Sequence, residues 1–376
     1  MAASLPKTML AQVLVDFGKP YELRSVPLPV PSGPHDLLVK VEAASYCHTD
    51  YVLAQGQMFP LPKQLPHIGC HEFAGTIVAH FENPSSRASE FKPGDKVGVP
   101  GRAFHACGRC FECHGSKDPV AHDDGNYSVH CLEAENNGLS RDGGFAEYAV
   151  VDARQIAPLP SSMTPVEAAP LMCAGLTIFS ALKRAKLQAG ERVGIIGAGG
   201  GLGHLGLQYA LKMGYKVLGV DAADAPLALA NDLNTGARIV DARREKAADI
   251  VQQLGLEDGK KYTAEMGVDA AIILPESQLA FDFGMALLKA HGKCIIVSFP
   301  EHGFHFSARD IVFRDISIIG SLVGSNKMLR EMLAFSAVHR IQVISRTFSL
   351  CRLNELVEEY HKGEGGKLVV DMSRNQ

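Results

Sequence analysis

The spacing of apolar and polar positions changes character along the chain. Between residues 8 and 45 the apolar positions fall in short runs broken by proline-rich stretches. Met9–Val15, Tyr21–Val26 and Leu37–Ala44 are the predicted strands of an all-β opening. Phe73–His80 adds a strand, and Lys92-Pro93-Gly94-Asp95-Lys96-Val97 reads as a turn between strands. Pro165–Leu187 carries helical spacing. Beyond it the pattern alternates. Strands are predicted at Arg238–Val240, Val268–Leu274, Lys293–Phe299 and Ile316–Ile319, with helices between them that include Glu245–Leu254 and Gln278–Ala290. Such alternation predicts an α/β domain with a parallel, doubly wound sheet. Leu329–Asp371 holds two helical patterns and short strands, predicted to rejoin the first domain.

The α/β part opens on its most informative stretch. Val193–Ile196 is a short apolar run that ends in the cluster Gly197-Ala198-Gly199-Gly200-Gly201-Leu202-Gly203. Leu205, Leu207, Ala210 and Leu211 then follow a helical pattern, and the run Lys216–Val220 closes on Asp221. Strand, glycine turn, helix, strand and terminal acid make a dinucleotide-binding unit. Its glycines admit a pyrophosphate close to the backbone, at a helix N-terminus that supplies N–H donors. The register chosen is Gly197-x2-Gly200-x2-Gly203, one residue longer than the usual motif. Asp221 suits a ribose 2′-hydroxyl and repels a 2′-phosphate, which favours NAD over NADP.

Composition narrows the class. At 376 residues the chain has length for two or three domains. Apolar content of 46% with 21% charged residues is that of a soluble globular protein with ample core. A net charge of −4 argues against nucleic acid or anionic membrane as partner. No apolar run approaches the ~18 residues of a membrane span. The N-terminus, MAASLPKTMLAQVLVD, lacks the apolar core of a signal peptide, so a cytoplasmic location is expected. In a reducing compartment the nine cysteines read as metal ligands or catalytic groups rather than disulfides.

Cys107, Cys110 and Cys113 recur at three-residue steps, which lets them wrap one zinc ion. Cys131 is the nearby cysteine that can close a four-thiolate structural site. Cys47, His71 and Cys173 are far apart, and spacing alone does not join them. Each lies near a predicted element end. Together they would make a two-thiolate, one-imidazole site with a fourth position left for substrate.

These pieces, in this order, resemble the zinc-dependent medium-chain alcohol dehydrogenases, most of all the yeast-type, tetrameric, NAD-dependent branch. The resemblance rests on Cys47-His48-Thr49-Asp50, Gly69-Cys70-His71-Glu72, the cysteine lobe, Asp142–Tyr148, Cys173-Ala174-Gly175-Leu176-Thr177, the glycine loop and Gly366–Asp371. It implies a GroES-like β-rich catalytic domain (1–165 and 322–376) around a Rossmann dinucleotide-binding domain (166–321). It also implies two zincs per chain, one catalytic on Cys47, His71 and Cys173 and one structural on Cys107, Cys110, Cys113 and Cys131. NAD, a small alcohol or aldehyde substrate and a dimeric or tetrameric assembly follow as expectations.

The same resemblance distributes roles. Thr49 hydrogen-bonds the substrate hydroxyl and starts a proton relay. Asp50 orients His71, and Glu72 lies behind the metal and assists ligand exchange. His48 and Lys367 match pyrophosphate contacts, while Thr177 and Leu202 match residues near the nicotinamide. Gly200 and Gly201 belong to the phosphate turn.

Five departures stand out. Seventeen residues separate Cys113 from Cys131, against seven in the usual lobe. The inserted loop, Asp118–Tyr127, brings His122, Asp123 and Asp124, and His122 or His130 is a rival fourth ligand. Val52 stands where many relatives end the relay on histidine, so the proton would leave through Thr49, a ribose hydroxyl and water. Cys70 replaces a usual glycine and reads as core. Lys367 replaces an arginine and loses the bidentate phosphate contact. The chain has no tryptophan, and Gln57-Met58-Phe59 stands where bulky indoles narrow the ethanol pocket. A roomier site is expected, so a bulkier carbonyl is the alternative substrate. Cys173 argues against a polyol dehydrogenase, and Asp221 against an NADP-linked aromatic alcohol dehydrogenase. The ligand set argues against a zinc-free quinone reductase or a non-catalytic relative.

Overall fold

The longest strand of the N-terminal region, Asp36–Tyr46, organises one of two large sheets. In the computed structural model, which describes residues 5–375 apart from 59, 119 and 124–126, this strand pairs antiparallel with three others. Tyr148–Asp152 takes the first half of one edge and Lys367–Asp371 the second half, while Glu72–His80 takes the other edge. Irregularities at Leu38/Val39 and Val41/Ala43 bend the strand. Lys96–Pro100 continues the sheet beyond Glu72–His80, with Pro100 opposite Glu72. Ser345–Phe348 joins through Lys367–Asp371, so strands from the C-terminal region complete the N-terminal sheet.

The second sheet has six parallel strands. Their order is Arg238–Asp241, Lys216–Asp221, Arg192–Ile196, Val268–Ile273, Leu288–Ile296, Ser317–Gly320. This is the doubly wound topology. Its switch point falls where Arg192–Ile196 lies between Lys216–Asp221 and Val268–Ile273, and ligands bind at the carboxyl ends of the strands there. Arg192–Ile196 is buried throughout, as a strand covered on both faces must be.

Three predicted elements differ. The helix expected over Gln278–Ala290 ends at Leu287, and the next strand begins at Leu288. The strand expected at Lys293–Phe299 runs Leu288–Ile296, because Leu288 already pairs with Val268 ahead of an irregularity. The helix expected over Pro165–Leu187 is broken into Pro165–Ala168, a tight turn Ala169–Met172, and Ala174–Ala185, with a bend of 49°. Pro170 cannot donate to the preceding turn, and Cys173 leaves helical continuity at φ −118°, ψ −66°. The break puts the Cys173 thiol at the start of a helix instead of in the middle of one. Among the described residues no single helix is long and apolar enough to cross a membrane.

The inserted loop is built into the fold. His122–Asp123 pairs with Tyr127–Ser128, and Asp124 lies outside the described residues. The Asp123 carboxylate accepts hydrogen bonds from the Asn326 N–H at 2.6 Å and the Lys327 N–H at 2.7 Å. These are the first residues of the helix Asn326–His339. Its free N–H groups and dipole favour a carboxylate there. The Ser325 N–H donates to the Val120 carbonyl, and Arg184 forms an ion pair with Asp118. Replacing Asp123 by alanine removes the partner of the buried Asn326 N–H and of the partly buried Lys327 N–H. We expect it to lower unfolding stability by about 2 kcal/mol. Denaturant titration measures this, and an unchanged midpoint would refute the capping role.

Candidate catalytic metal centre and cofactor cleft

Cys47 follows the central strand directly and caps the helix His48–Ala54. Asp50, fully buried in that helix, accepts from the Cys47 N–H at 2.9 Å and the Cys70 N–H at 3.2 Å. Its Oδ1 also lies 3.1 Å from His71 Nδ1. The pair therefore fixes the tautomer with the proton on Nδ1, which leaves a lone pair on Nε2. That Nε2 is buried with no hydrogen-bond partner. An orphaned imidazole nitrogen is costly unless a ligand takes it. The ligand atoms of Cys47, His71 and Cys173 all lie within 4.8 Å of one another. Residues separated by more than a hundred positions thus form one site, and its donor set fits a zinc with one position open.

The two thiols influence each other strongly. Cys173 holds the Cys47 thiol well below its usual pKa, while Cys47 pushes Cys173 well above it. Thr49 Oγ1 lies 3.8 Å from Cys47 Sγ. Val52 is half-buried in the same helix. Cys70 is fully buried at φ +77°, a left-handed conformation that glycine adopts more easily. Its thiol donates to the carbonyls of Ser45 and Glu72, which makes it a core residue.

Glu72 and Lys367 form a buried ion pair behind the ligands, and the Lys367 ammonium also donates to the Tyr46 carbonyl at 2.8 Å. Burial raises the Glu72 carboxyl to about 7 against the pull of Lys367. Lys367 also lines the cavity beside the glycine turn. Its stem packs near Gly201, but its charge is turned inward to Glu72. His48 is likewise engaged on both nitrogens, by the Tyr360 hydroxyl at 2.6 Å and by Glu276 at 3.3 Å. Gln57 is exposed and Met58 half-buried, and Phe59 lies outside the described residues.

The glycine turn follows Arg192–Ile196 and leads into the helix Gly203–Lys212. Gly197 sits at φ +89°. A Cβ on Gly199 would lie 1.9 Å from the Pro226 carbonyl oxygen, and one on Gly203 would lie 2.0 Å from that of Gly197. Gly200 meets no comparable obstacle. Gly197, Gly199 and Gly203 are therefore the glycines that backbone geometry and packing require, while Gly200 lines the cavity. Asp221 Oδ2 accepts from the Gly199 N–H at 3.0 Å, so the acid and the turn are held together. A cavity of about 290 Å³ joins Cys47 and His48 to Gly200, Gly201, Leu202 and Lys367. Thr177 is buried one helical turn beyond Cys173, with its hydroxyl unpartnered.

Sequence reasoning missed Gly199, Glu276, Tyr360 and His204. Gly199 was visible inside the glycine run, but the other three carry no local signal. His204 is fully buried, with Nδ1 3.0 Å from the Gly200 carbonyl and Nε2 accepting from the Ile344 N–H at 3.2 Å. Both bonds need the neutral ring, and burial lowers its pKa to about 4. The unfolded chain takes up this proton near pH 6.5, and the folded chain only near pH 4. His204 thus contributes stability above pH 6.5 that is lost progressively as pH falls toward 4. We expect the His204→Gln variant to show a shallower loss of stability over that window in denaturant titrations. An unchanged slope would refute this.

Cys107, Cys110, Cys113 and Cys131 also place their sulfurs within 4.8 Å of one another. Cys110 Sγ and Cys131 Sγ are 4.0 Å apart, close to the ~3.8 Å edge of a tetrahedral zinc–thiolate site. The rival ligand His122 is turned away, with Nε2 2.8 Å from the Cys113 carbonyl.

Residues 33–161 match the family described as alcohol dehydrogenase GroES-like domain, and residues 201–337 match the zinc-binding dehydrogenase family. An alcohol dehydrogenase of Geobacillus stearothermophilus is 34% identical, covering 98% of this chain and 100% of its own. The crystal structure of an alcohol dehydrogenase from Aeropyrum pernix is 31% identical, with a TM-score of 0.80, over 96% of this chain and 99% of its own. An acetophenone reductase of Geotrichum candidum, solved with NAD, is 25% identical with a TM-score of 0.78, over 98% of both chains. The chain belongs to the zinc-dependent medium-chain alcohol dehydrogenases, with a GroES-like domain and a Rossmann domain.

Proposed function

We propose that the chain is an NAD-linked alcohol dehydrogenase or carbonyl reductase of the tetrameric branch, with two zincs and a substrate bulkier than ethanol. The observation that carries the catalytic reading is the orphaned His71 Nε2 beside the thiols of Cys47 and Cys173. When bound, zinc supplies Lewis-acid polarisation of the substrate oxygen and the nicotinamide exchanges hydride with the carbinol carbon. This chain's residues do the rest. Cys47, His71 and Cys173 hold the metal, and Asp50 holds His71. Thr49 takes the substrate proton and passes it toward water, because Val52 cannot carry it further. Glu72 and Lys367 keep a balanced charge pair behind the ligands.

Gly197, Gly200, Gly201, Leu202 and Gly203 line the pyrophosphate path, with Gly199 supporting the turn, and Thr177 and His48 flank the cofactor. Asp221 selects NAD, and the related acetophenone reductase solved with NAD supports that preference. The domains are taken as 1–165 with 322–376, and 166–321. The helix Asn326–His339 crosses that division, since Leu329, Met332 and Leu333 share a core with the Rossmann strands. Self-association is supported by exposed Leu279, Phe299, Phe306, Val312 and Phe313, and by Ser317–Gly320, which among the described residues is an edge of the six-stranded sheet. A reducing, cytoplasmic setting is supported by the clustering of thiols in two metal-ligand groups, which oxidation would destroy.

The test is zinc content with NADH oxidation across aldehydes, from acetaldehyde to bulky aromatic carbonyls. The expected result is two zincs and faster turnover of the larger members. A preference for acetaldehyde would refute the wider pocket. Asp221→Ser is expected to narrow the NAD-to-NADP preference in kcat/KM by about 100-fold, two charge-assisted contacts' worth at 1.36 kcal/mol per tenfold. An unchanged ratio would remove Asp221 from cofactor selection.

A further inference from the structure

Arg102 is a largely buried cation near the metal ligands, with no anion paired to it among the described residues. It enters just past Pro100, which lies opposite Glu72, and the neighbouring Gly101 donates its N–H to the His71 carbonyl at 2.6 Å. The Arg102 backbone is pinned. Its carbonyl accepts from the Tyr127 hydroxyl at 3.2 Å and the Gln155 side chain at 2.9 Å. Its Nη2 reaches the Val129 carbonyl of the inserted lobe at 3.0 Å, while its Nε is buried with no partner. Among the described residues no carboxylate pairs with it. Burial pulls its pKa down, and Tyr127 and Cys173 are the groups that pull it back.

The helix that starts at Cys173 carries further unpaired polar atoms. Thr177, Ser180 and Arg184 follow Cys173 at spacings that share one helix face. Thr177 Oγ1, Ser180 Oγ and Arg184 Nε are all buried without partners. The inserted lobe lies along the same helix, since Val120 shares a core with Leu171, Met172, Ala174 and Leu176, and Asp118 neutralises Arg184. A seam of surplus donors therefore runs from the metal ligands to the insertion. It carries one uncompensated positive charge, on Arg102.

We propose that Arg102 binds a carboxylate on the substrate, so that this enzyme acts on an aldehyde or alcohol bearing an acid group a short chain from the reacting carbon. The inference rests on the dehydrogenase reading above and names its substrate class. One unpaired guanidinium balances one negative charge, and its planar edge matches a carboxylate. A phosphate dianion would leave a charge unpaired, because Arg184 is already neutralised. The carboxylate takes no part in the chemistry. Aldehyde, NADH and a proton give alcohol and NAD, and the acid group passes through unchanged.

Matched carbonyl pairs test this with the full chain: butanal against succinic semialdehyde, and benzaldehyde against 4-carboxybenzaldehyde. A site built around a polar group rejects the analogue that lacks it, so kcat/KM should favour each acid by about 100-fold or more. In Arg102→Gln that ratio should collapse by a similar factor, chiefly through KM of the acid, with zinc content and NADH binding as readouts of an intact fold. If the variant does not fold, the wild type still decides. Butyrate should then compete with aldehyde at least about tenfold better than butyramide. Equal or faster turnover of the neutral partners, or equal inhibition by the two butyryl compounds, would overturn the inference and leave the dehydrogenase reading standing. No NADH-linked turnover of any pair would overturn both.

Discussion

Cys47→Ser should lower turnover by at least about 10⁴-fold while the fold survives. Cys47 acts through its sulfur on the metal side and through its backbone on the structural side. Serine keeps the N–H that Asp50 accepts at 2.9 Å, and it is a good helix N-cap. What it loses is one of the two thiolates in a three-ligand set with His71 and Cys173. Lewis-acid stabilisation is worth several kcal/mol, and ~5.5 kcal/mol is 10⁴-fold at 1.36 per tenfold. Proton transfer through Thr49 is worth ~10²–10⁴-fold, so the metal ligand should cost at least as much as the relay residue. Zinc analysis with steady-state kinetics measures this, and a chelator that strips the site should reproduce it. Full-rate turnover by metal-free protein would sink the assignment.

Cys113→Ser should act on stability more than on chemistry. We expect one zinc per chain to be lost and the unfolding temperature to fall by roughly 10 °C, with residual activity at low temperature. The lobe's own core is small: Ala103, Ala106, Cys113, Tyr127 and Cys131. A core of that size does not order a lobe without a staple, and four thiolates on zinc are such a staple. Losing one ligand should cost about 3–5 kcal/mol, which at ~2–4 °C per kcal/mol gives that shift. The loss should also spread, because Asp123 and Asp118 tie the lobe to Asn326, Lys327 and Arg184. Thermal unfolding with metal analysis reads both effects. Unchanged zinc content and unfolding temperature would show that the four sulfurs hold no structural metal.

Local patterns were the legible part of the fold. Val193–Ile196, the glycine cluster and Lys216–Asp221 are contiguous, so their spacing alone marks a strand, a turn and a strand. Cys107, Cys110 and Cys113 are legible for the same reason. Even there, the need for glycine at Gly199 comes from the Pro226 carbonyl, which approaches from a later helix. The resemblance points Lys367 toward the cofactor phosphates, and the ion pair that its charge makes with Glu72 is one that no spacing announces. The break at Cys173 was hidden because the apolar pattern of Pro165–Leu187 continues straight through it.

By itself, the sequence determined the two kinds of sheet, the dinucleotide turn and the cysteine lobe, since each is specified by residues within reach of one another along the backbone. Only the tertiary structure decided that Cys47, His71 and Cys173 meet, because that depends on how Asp36–Tyr46 pairs with Glu72–His80 and on where one helix is interrupted. The structure likewise decided that the insertion clamps the helix at Asn326 and that Arg102 is left without an anion near the metal ligands. Burial and partnership of charges are properties of the packed chain. A guanidinium reads the same in a sequence whether it faces solvent, an acid or a substrate.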